Sequence, residues 1–365
     1  MIRTVLILVL SALSFANPFT PALGQEAKER SKKDTPIASL KVGDSAPPLK
    51  ANKWLQGNEI TKFEAGKVYV IDFWAPWCGA CIRHLPHLAE LQARYKDQGV
   101  TAIAFTSRDI RGVPDNTEEK SAAFLKKRGA ALPITFAYAD NGTTTDAWLK
   151  AAGQEGFCTF VVDKTGRIAF MGSPMYLDMV LPKVLARASA KAVGEEIAQV
   201  DADYRAAAAA LKSDSKPEAF FRALGEFEAK YPALADFMPA ACIKLNLWIL
   251  QGKTDEAKEY ADLLIAKAIK QHNAVVLEMA YAFLRSQDKS KELSELAVRA
   301  AEALVRFDGG KEPHSLLRLA DAYLASGDKA KAKQCAGKAI DAAAGESAAD
   351  RQDIEKEARR LGVEN

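Results

Sequence analysis

Between Lys41 and Ala188 the chain alternates short apolar runs with helical stretches. Val68-Tyr69-Val70-Ile71-Asp72-Phe73 is apolar on successive positions rather than alternate ones, which predicts a strand buried on both faces. Cys81 to Gln98 reads as a helix closed by Gly99, and Val100 to Phe105 as the next strand. A helix over Glu118–Lys127 ends at Arg128-Gly129, a strand follows over Ile134–Tyr138, and Thr145–Ala152 is again helical. Phe160–Asp163 and Arg167–Phe170, joined by Lys164-Thr165-Gly166, predict an antiparallel hairpin, and Leu177–Ala188 a closing helix. This order implies an α/β layer fold, a mixed central sheet flanked by helices.

From about Val193 the pattern turns wholly helical. Ala206–Ala210 is an alanine run inside a helix, and Pro217–Lys230 gives another. A unit then recurs: Leu245, Trp248, Gly252 and Ala257 match Ala320, Tyr323, Gly327 and Ala332 position for position, with a weaker middle copy at Ala280, Phe283 and Gln287. The equivalent turns lie 35 and then 40 residues apart, near the periods of helical repeats. The expected organisation is therefore an α/β domain over 41–188 and an all-α domain over 193–365, with repeats over about 238–346. Stacked repeats are structural by default, and partner binding is a separate claim.

The first residues carry a different pattern. Arg3 precedes an apolar stretch from Thr4 to Phe15, small residues follow at Ala22-Leu23-Gly24, and a charged stretch runs from Glu26 to Asp34. That is the layout of a secretory signal peptide over 1–24, followed by a polar linker over 25–40. The apolar core, about twelve residues, is short against the roughly 20 that a spanning helix needs. The expectation is an exported, periplasmic chain with the leader removed.

Hydrophobic residues make up 48% of the chain and charged residues 27%, an ordinary globular composition. The net charge of +3 is too small to imply a nucleic-acid or membrane-surface partner, and no basic run is interleaved with aromatics as a strand-binding groove requires. Five cysteines in a chain of 365 residues are too few to staple a scaffold. Two of them, Cys78 and Cys81, form a Cys-x-x-Cys after the buried strand and at the start of a helix.

Such a pair can serve redox exchange, half a metal site or an inert disulfide. A tetrahedral metal site would want a second Cys-x-x-Cys or a histidine pair at suitable spacing; the first is missing, and only His84 and His87 lie nearby. The strand-then-helix placement favours redox chemistry. Cys78 at the helix N-terminus would be stabilised as a thiolate and act as the attacking sulfur, while Cys81, one turn in, would resolve the mixed disulfide. Asp72, near the end of the apolar strand, would be desolvated and able to take the Cys81 proton. No cofactor or metal is called for.

Asp72-Phe73-Trp74-Ala75-Pro76-Trp77-Cys78-Gly79-Ala80-Cys81, with Pro86 beyond it, resembles the thioredoxin superfamily. Lys41–Pro47, the segment from Val100 to Ala152, and Phe160–Ile168 resemble its exported TlpA/ResA-type branch. The resemblance covers about 41–188. It implies a thioredoxin fold, Cys78 as nucleophile, Cys81 as resolver, Asp72 as the buried acid and Pro86 as a helix kink. A peroxiredoxin is excluded because the Thr-x-x-Cys motif is absent. The last copy of the helical unit, with Ala332, Ala336 and Ala339, resembles the tetratricopeptide pattern.

The chain departs from the family before its last hairpin. Where the family has a cis-proline followed by threonine, this sequence has Phe157 and Cys158, or Cys158 itself at the proline position if one residue is skipped. A cis bond before a residue other than proline costs ~2.5–4 kcal/mol, so a trans, reshaped loop is expected. Trp77, Phe157 and Cys158 are then the residues expected to meet substrate. Cys158 is either a space-filling thiol or a competitor for Cys78, and His84 stands where that branch often carries glutamate. Cys242 and Cys335 read as packing thiols.

These features predict an exported thiol–disulfide oxidoreductase, a reductase by resemblance, acting on protein or peptide disulfides. It needs an electron donor that the sequence does not name, and its helical repeats could dock a protein partner. The rival readings are a scaffold with a repurposed thioredoxin-like domain and a thiolate metal handler using Cys78, Cys81 and Cys158.

Overall fold

The computed structural model describes residues 39–362, apart from 109, 111–115, 155–156, 187–188, 211–216, 233, 235–238, 287–290 and 347. The leader over 1–24, all but the last two residues of the 25–40 linker, Ala188, Met238 and Gln287 lie outside the described residues. The described chain falls into two compact units: 39–82 with 91–125 and 134–203, and 83–90 with 126–133 and 204–362. Among the described residues no helix is long and apolar enough to cross a membrane.

The first unit is built on a six-stranded mixed sheet. Its strands are β1 (Lys53–Gln56), β2 (Val68–Phe73), β3 (Val100–Ser107), β4 (Thr135–Ala139), β5 (Thr159–Val162) and β6 (Ile168–Gly172), in spatial order β1-β4-β3-β2-β5-β6. The neighbours β2, β3 and β4 are parallel, while β1, β5 and β6 join antiparallel. Every residue of β2 is buried, as its unbroken apolar run requires of a central strand. Tyr69, Ile71 and Phe73 point to one face, where Phe105, Trp148 and Phe160 complete an aromatic core. Asp72 projects to the other face. Its register partners are Ala104 on β3 and Thr159 on β5.

The helices between and after these strands are α1 (Gly79–Tyr95), α2 (Glu118–Arg128), the single turn α3 (Thr143–Thr145) continued by a π turn (Asp146–Lys150), and α4 (Leu177–Leu185), with 83–90 of α1 and the end of α2 counted in the second unit. Gly99 ends the α1 region in the left-handed conformation, φ 84°, as the sequence predicts. Several boundaries differ from expectation: β3 runs on to Ser107, and β4 and β5 are each displaced by one residue. β6 extends to Gly172, and α1 opens at Gly79 because Cys78 caps it. β1 is an addition: it is short, mostly half-exposed and irregular in register between Trp54 and Gln56, so it lacks the apolar run that marks the central strands.

From Ala190 the chain is helical, as expected: α5 (Ala190–Ala209), α6 (Pro217–Lys230), α7 (Pro239–Leu250), α8 (Thr254–Lys270), α9 (Ala274–Ser286), α10 (Lys291–Phe307), α11 (Pro313–Ser326), α12 (Lys329–Ala342) and α13 (Ala348–Arg360). The matched positions of the two copies behave alike. Leu245, Ala257, Ala320 and Ala332 are fully buried, and Trp248 and Tyr323 pack against the same core half-buried. Gly252 and Gly327 turn α7 into α8 and α11 into α12 with φ of 70° and 94°. Alanine at the contacts lets paired helices approach closely. Cys242 and Cys335 are buried free thiols within this helical core.

Candidate active site

Strand β2 delivers the chain to Trp74 and Ala75, both buried, and a turn closed by the Cys78 N–H on the Ala75 carbonyl (2.9 Å) starts α1. Cys78 is extended (φ −86°, ψ 91°) and occupies the N-cap, where its Sγ accepts the Cys81 N–H at 3.2 Å. A capping oxygen usually fills this position. With sulfur there, the free N–H groups of the first turn favour negative charge on Cys78 when the pair is reduced.

Cys78 and Cys81 are joined as a disulfide, their Cα atoms 5.3 Å apart. Cys78 is half-buried between exposed Trp77 and Gly79, whereas Cys81 is buried on the inward face of α1 with Leu85 and Leu88. An incoming sulfur therefore meets Cys78 first. α1 continues through Pro86. The His84 ring is half-buried, 5.8 Å from that of His87.

Asp72 is 4% exposed, and burial pushes its carboxyl up to about 7. Against that, the fully buried Thr159 hydroxyl donates to Asp72 Oδ1 at 2.5 Å and stabilises the carboxylate. Thr159 is a residue that sequence reasoning missed, because the hairpin strand was expected to begin at Phe160. The available signal was the pair of polar residues, one each in Val68–Phe73 and Thr159–Val162, that interrupts two otherwise apolar strands.

Of the residues expected to meet substrate, Trp77 is 42% exposed and its ring lies 5.4 Å from that of half-buried Phe157. Cys158 differs: it is buried, and its thiol donates weakly to the carbonyls of Gly172 (3.5 Å) and Thr159 (3.6 Å). Burial pushes that thiol up to about 12, so it stays protonated near neutral pH. The Cys158 carbonyl accepts the Phe73 N–H, which ties this loop to the end of β2. Among the described residues no peptide bond is cis, and no group of three or more His, Cys, Asp or Glu could hold a metal ion.

Residues 41–174 match the Redoxin family. Protein FixW of Rhizobium leguminosarum is 35% identical over 149 residues, covering 40% of this chain and 67% of FixW. The thiol-disulfide oxidoreductase ResA of Geobacillus thermodenitrificans is 31% identical over 137 residues, 37% of this chain and 70% of ResA. Among solved structures, a thiol-disulfide isomerase from Corynebacterium glutamicum is 20% identical, covering 38% of this chain and 96% of its own, with a TM-score of 0.33. With its paired Cys78 and Cys81 capping the helix that follows a buried central strand, the chain belongs to the redoxin family of thioredoxin-like thiol–disulfide oxidoreductases.

Proposed function

We propose that this chain is an exported thiol–disulfide reductase in which Cys78 attacks, Cys81 resolves and Asp72 moves the proton. The observation that carries this reading is the pairing of a half-exposed Cys78 at the α1 N-terminus with a buried Cys81, together with an interior carboxyl near neutrality on the strand that leads into α1. In the reductive direction the Cys78 thiolate attacks a substrate disulfide, and the first substrate thiolate leaves. Asp72 takes the Cys81 proton, Cys81 attacks Cys78 Sγ, and the second substrate thiolate leaves as the Cys78–Cys81 bond closes. Two electrons pass from the enzyme pair to the substrate, and a dithiol donor must restore them.

Trp77 and Phe157 offer an aromatic contact for an extended cysteine-containing segment beside Cys78. Cys158 lines this region through its backbone rather than its thiol. The domain limits proposed are 41–188 for the redox half and 193–365 for the helical half, whose tetratricopeptide-like hairpins dock a protein partner. Export to the periplasm rests on the layout of residues 1–24.

Equilibration of the chain in glutathione buffers, with thiol trapping, tests the direction, together with insulin reduction. A potential near the ~−270 mV of thioredoxin, with turnover of insulin, supports a reductase, and one near ~−120 mV makes the chain an oxidant. If Cys78 and Cys81 form no reversible pair, the redox reading falls in favour of a scaffold.

A further inference from the structure

The proton step needs a carboxyl that is buried yet still able to ionise, and burial alone works against the second condition. Asp72 sits in a central strand with Ala104 opposite it on β3, so nothing polar reaches it from that side through the ladder. On the other side the β2–β5 register sets Thr159 directly across, and antiparallel partners share a face. The Thr159 hydroxyl is fully buried and donates to Oδ1. The Cys158 thiol ahead of β5 interacts with Asp72 and stays neutral, while the Cys78 and Cys81 sulfurs of α1 are tied in the disulfide and do not titrate.

We propose that Thr159 is the positioning residue of the proton step: its hydroxyl fixes the Asp72 carboxylate and keeps it available as a base for Cys81. Thr159 touches no reacting sulfur in this scheme. It acts only through Asp72, and the inference rests on the reading of Asp72 as that base. A hydroxyl donates to the ionised carboxyl and loses most of that bond when the carboxyl is protonated, so its removal selectively disfavours the ionised form. The bond also fixes one carboxyl oxygen and leaves Oδ2 as the free acceptor.

The test uses the full chain, reduced and then mixed with glutathione disulfide. Closure of Cys78–Cys81 is followed by tryptophan fluorescence and acid trapping across pH 5 to 9. The wild-type closure rate should rise with an inflection near 7, where Asp72 ionises. Thr159→Val keeps the shape and removes the donor. It should move the inflection up by about one unit, slowing closure about fivefold at pH 7 and hardly at all at pH 9. Thr159→Ser should restore the wild-type profile, an outcome that a packing role for the threonine methyl would not produce.

Asp72→Asn separates the two readings. If it abolishes the inflection while Thr159→Val and wild type coincide, Thr159 has no part in the step and Asp72 keeps its role. If Asp72→Asn retains the inflection, Asp72 is not the base and both readings fall. Should Thr159→Val not fold, Thr159→Ala removes the same hydroxyl, and an unmoved inflection in it overturns the proposal equally.

Discussion

Asp72 should leave a signature in stability as well as in rate. Its folded-state value, raised by burial from 3.8 to about 7, means that the folded chain holds a proton which the unfolded chain gives up near pH 4. Stability is therefore full below about pH 4, falls as pH rises towards 7, and is lower by about 4 kcal/mol above it, at about 1.4 kcal/mol per unit. Asp72→Asn removes this term. Urea unfolding of the oxidised proteins should find the variant gaining on wild type between pH 4 and pH 8. An equal gap at both pH values would mean that Asp72 ionises freely. Cys158 is likewise held protonated by burial, but its substitution should destabilise, because the thiol donates to two carbonyls. Cys158→Ser should cost about 1 kcal/mol of stability and leave the reduction potential, mixed-disulfide lifetime and metal content unchanged. A change in any of these three would bring the thiol into the chemistry. The sequence makes Cys78, Cys81 and Asp72 legible because each has a local signature: a spacing, or a charge in an apolar run. Thr159 has only a polar position at the start of an apolar strand, and its partner lies 87 residues away, so only the sheet register joins them.

At the level of elements, the central strands are readable because they are buried along almost their whole length, and the helices because buried residues recur along them between exposed ones. β1 escapes for the opposite reason. Three of its four residues are half-exposed and Lys53 is exposed, and it exists through its pairing with β4 rather than through its own composition. The helical copies were legible through their turns. Gly252 and Gly327 match in sequence and both adopt positive φ at the bend between paired helices. At Gly327 an added Cβ would meet nothing within 4 Å, so only the backbone conformation resists a side chain there. Gly327→Ala should therefore cost about 1–2 kcal/mol, the penalty of a left-handed alanine, with no packing defect. Thermal unfolding followed by helical circular dichroism checks this. A loss well beyond that range would show that the α11–α12 turn packs more tightly than its open surroundings indicate, and no loss would show that the turn relaxes.

Across the whole molecule the disulfide and the fold are linked by one thermodynamic cycle: the folded pair's potential departs from that of an unfolded Cys-x-x-Cys by the difference in stability between the two redox forms. Two features of the site pull in opposite directions. The α1 N-terminus stabilises a Cys78 thiolate and so the reduced form, an effect of ~0.3–1 kcal/mol, up to ~2 in partly buried geometry. In the proposed proton step Asp72 serves Cys81, so its ionised carboxylate also disfavours a thiolate in the pair, and closing the disulfide removes that repulsion and favours the oxidised form. A strong oxidant arises when the reduced form is the better stabilised one. With Asp72 on the strand that leads into the pair, the oxidised chain should resist urea better than the dithiothreitol-reduced chain at pH 8, and by less at pH 5, where Asp72 is neutral. Four of the five tryptophans, Trp54, Trp74, Trp77 and Trp148, belong to the sheet-bearing unit and Trp248 to the helical one, so tryptophan fluorescence follows mainly the relevant transition. About 30 mV corresponds to 1.4 kcal/mol in this two-electron couple, so the urea difference and the glutathione equilibrium must agree. A reduced form that outlasts the oxidised one at pH 8 would make the helix terminus the stronger influence and the chain an oxidant. The reductase assignment would then fail even though the family assignment stands.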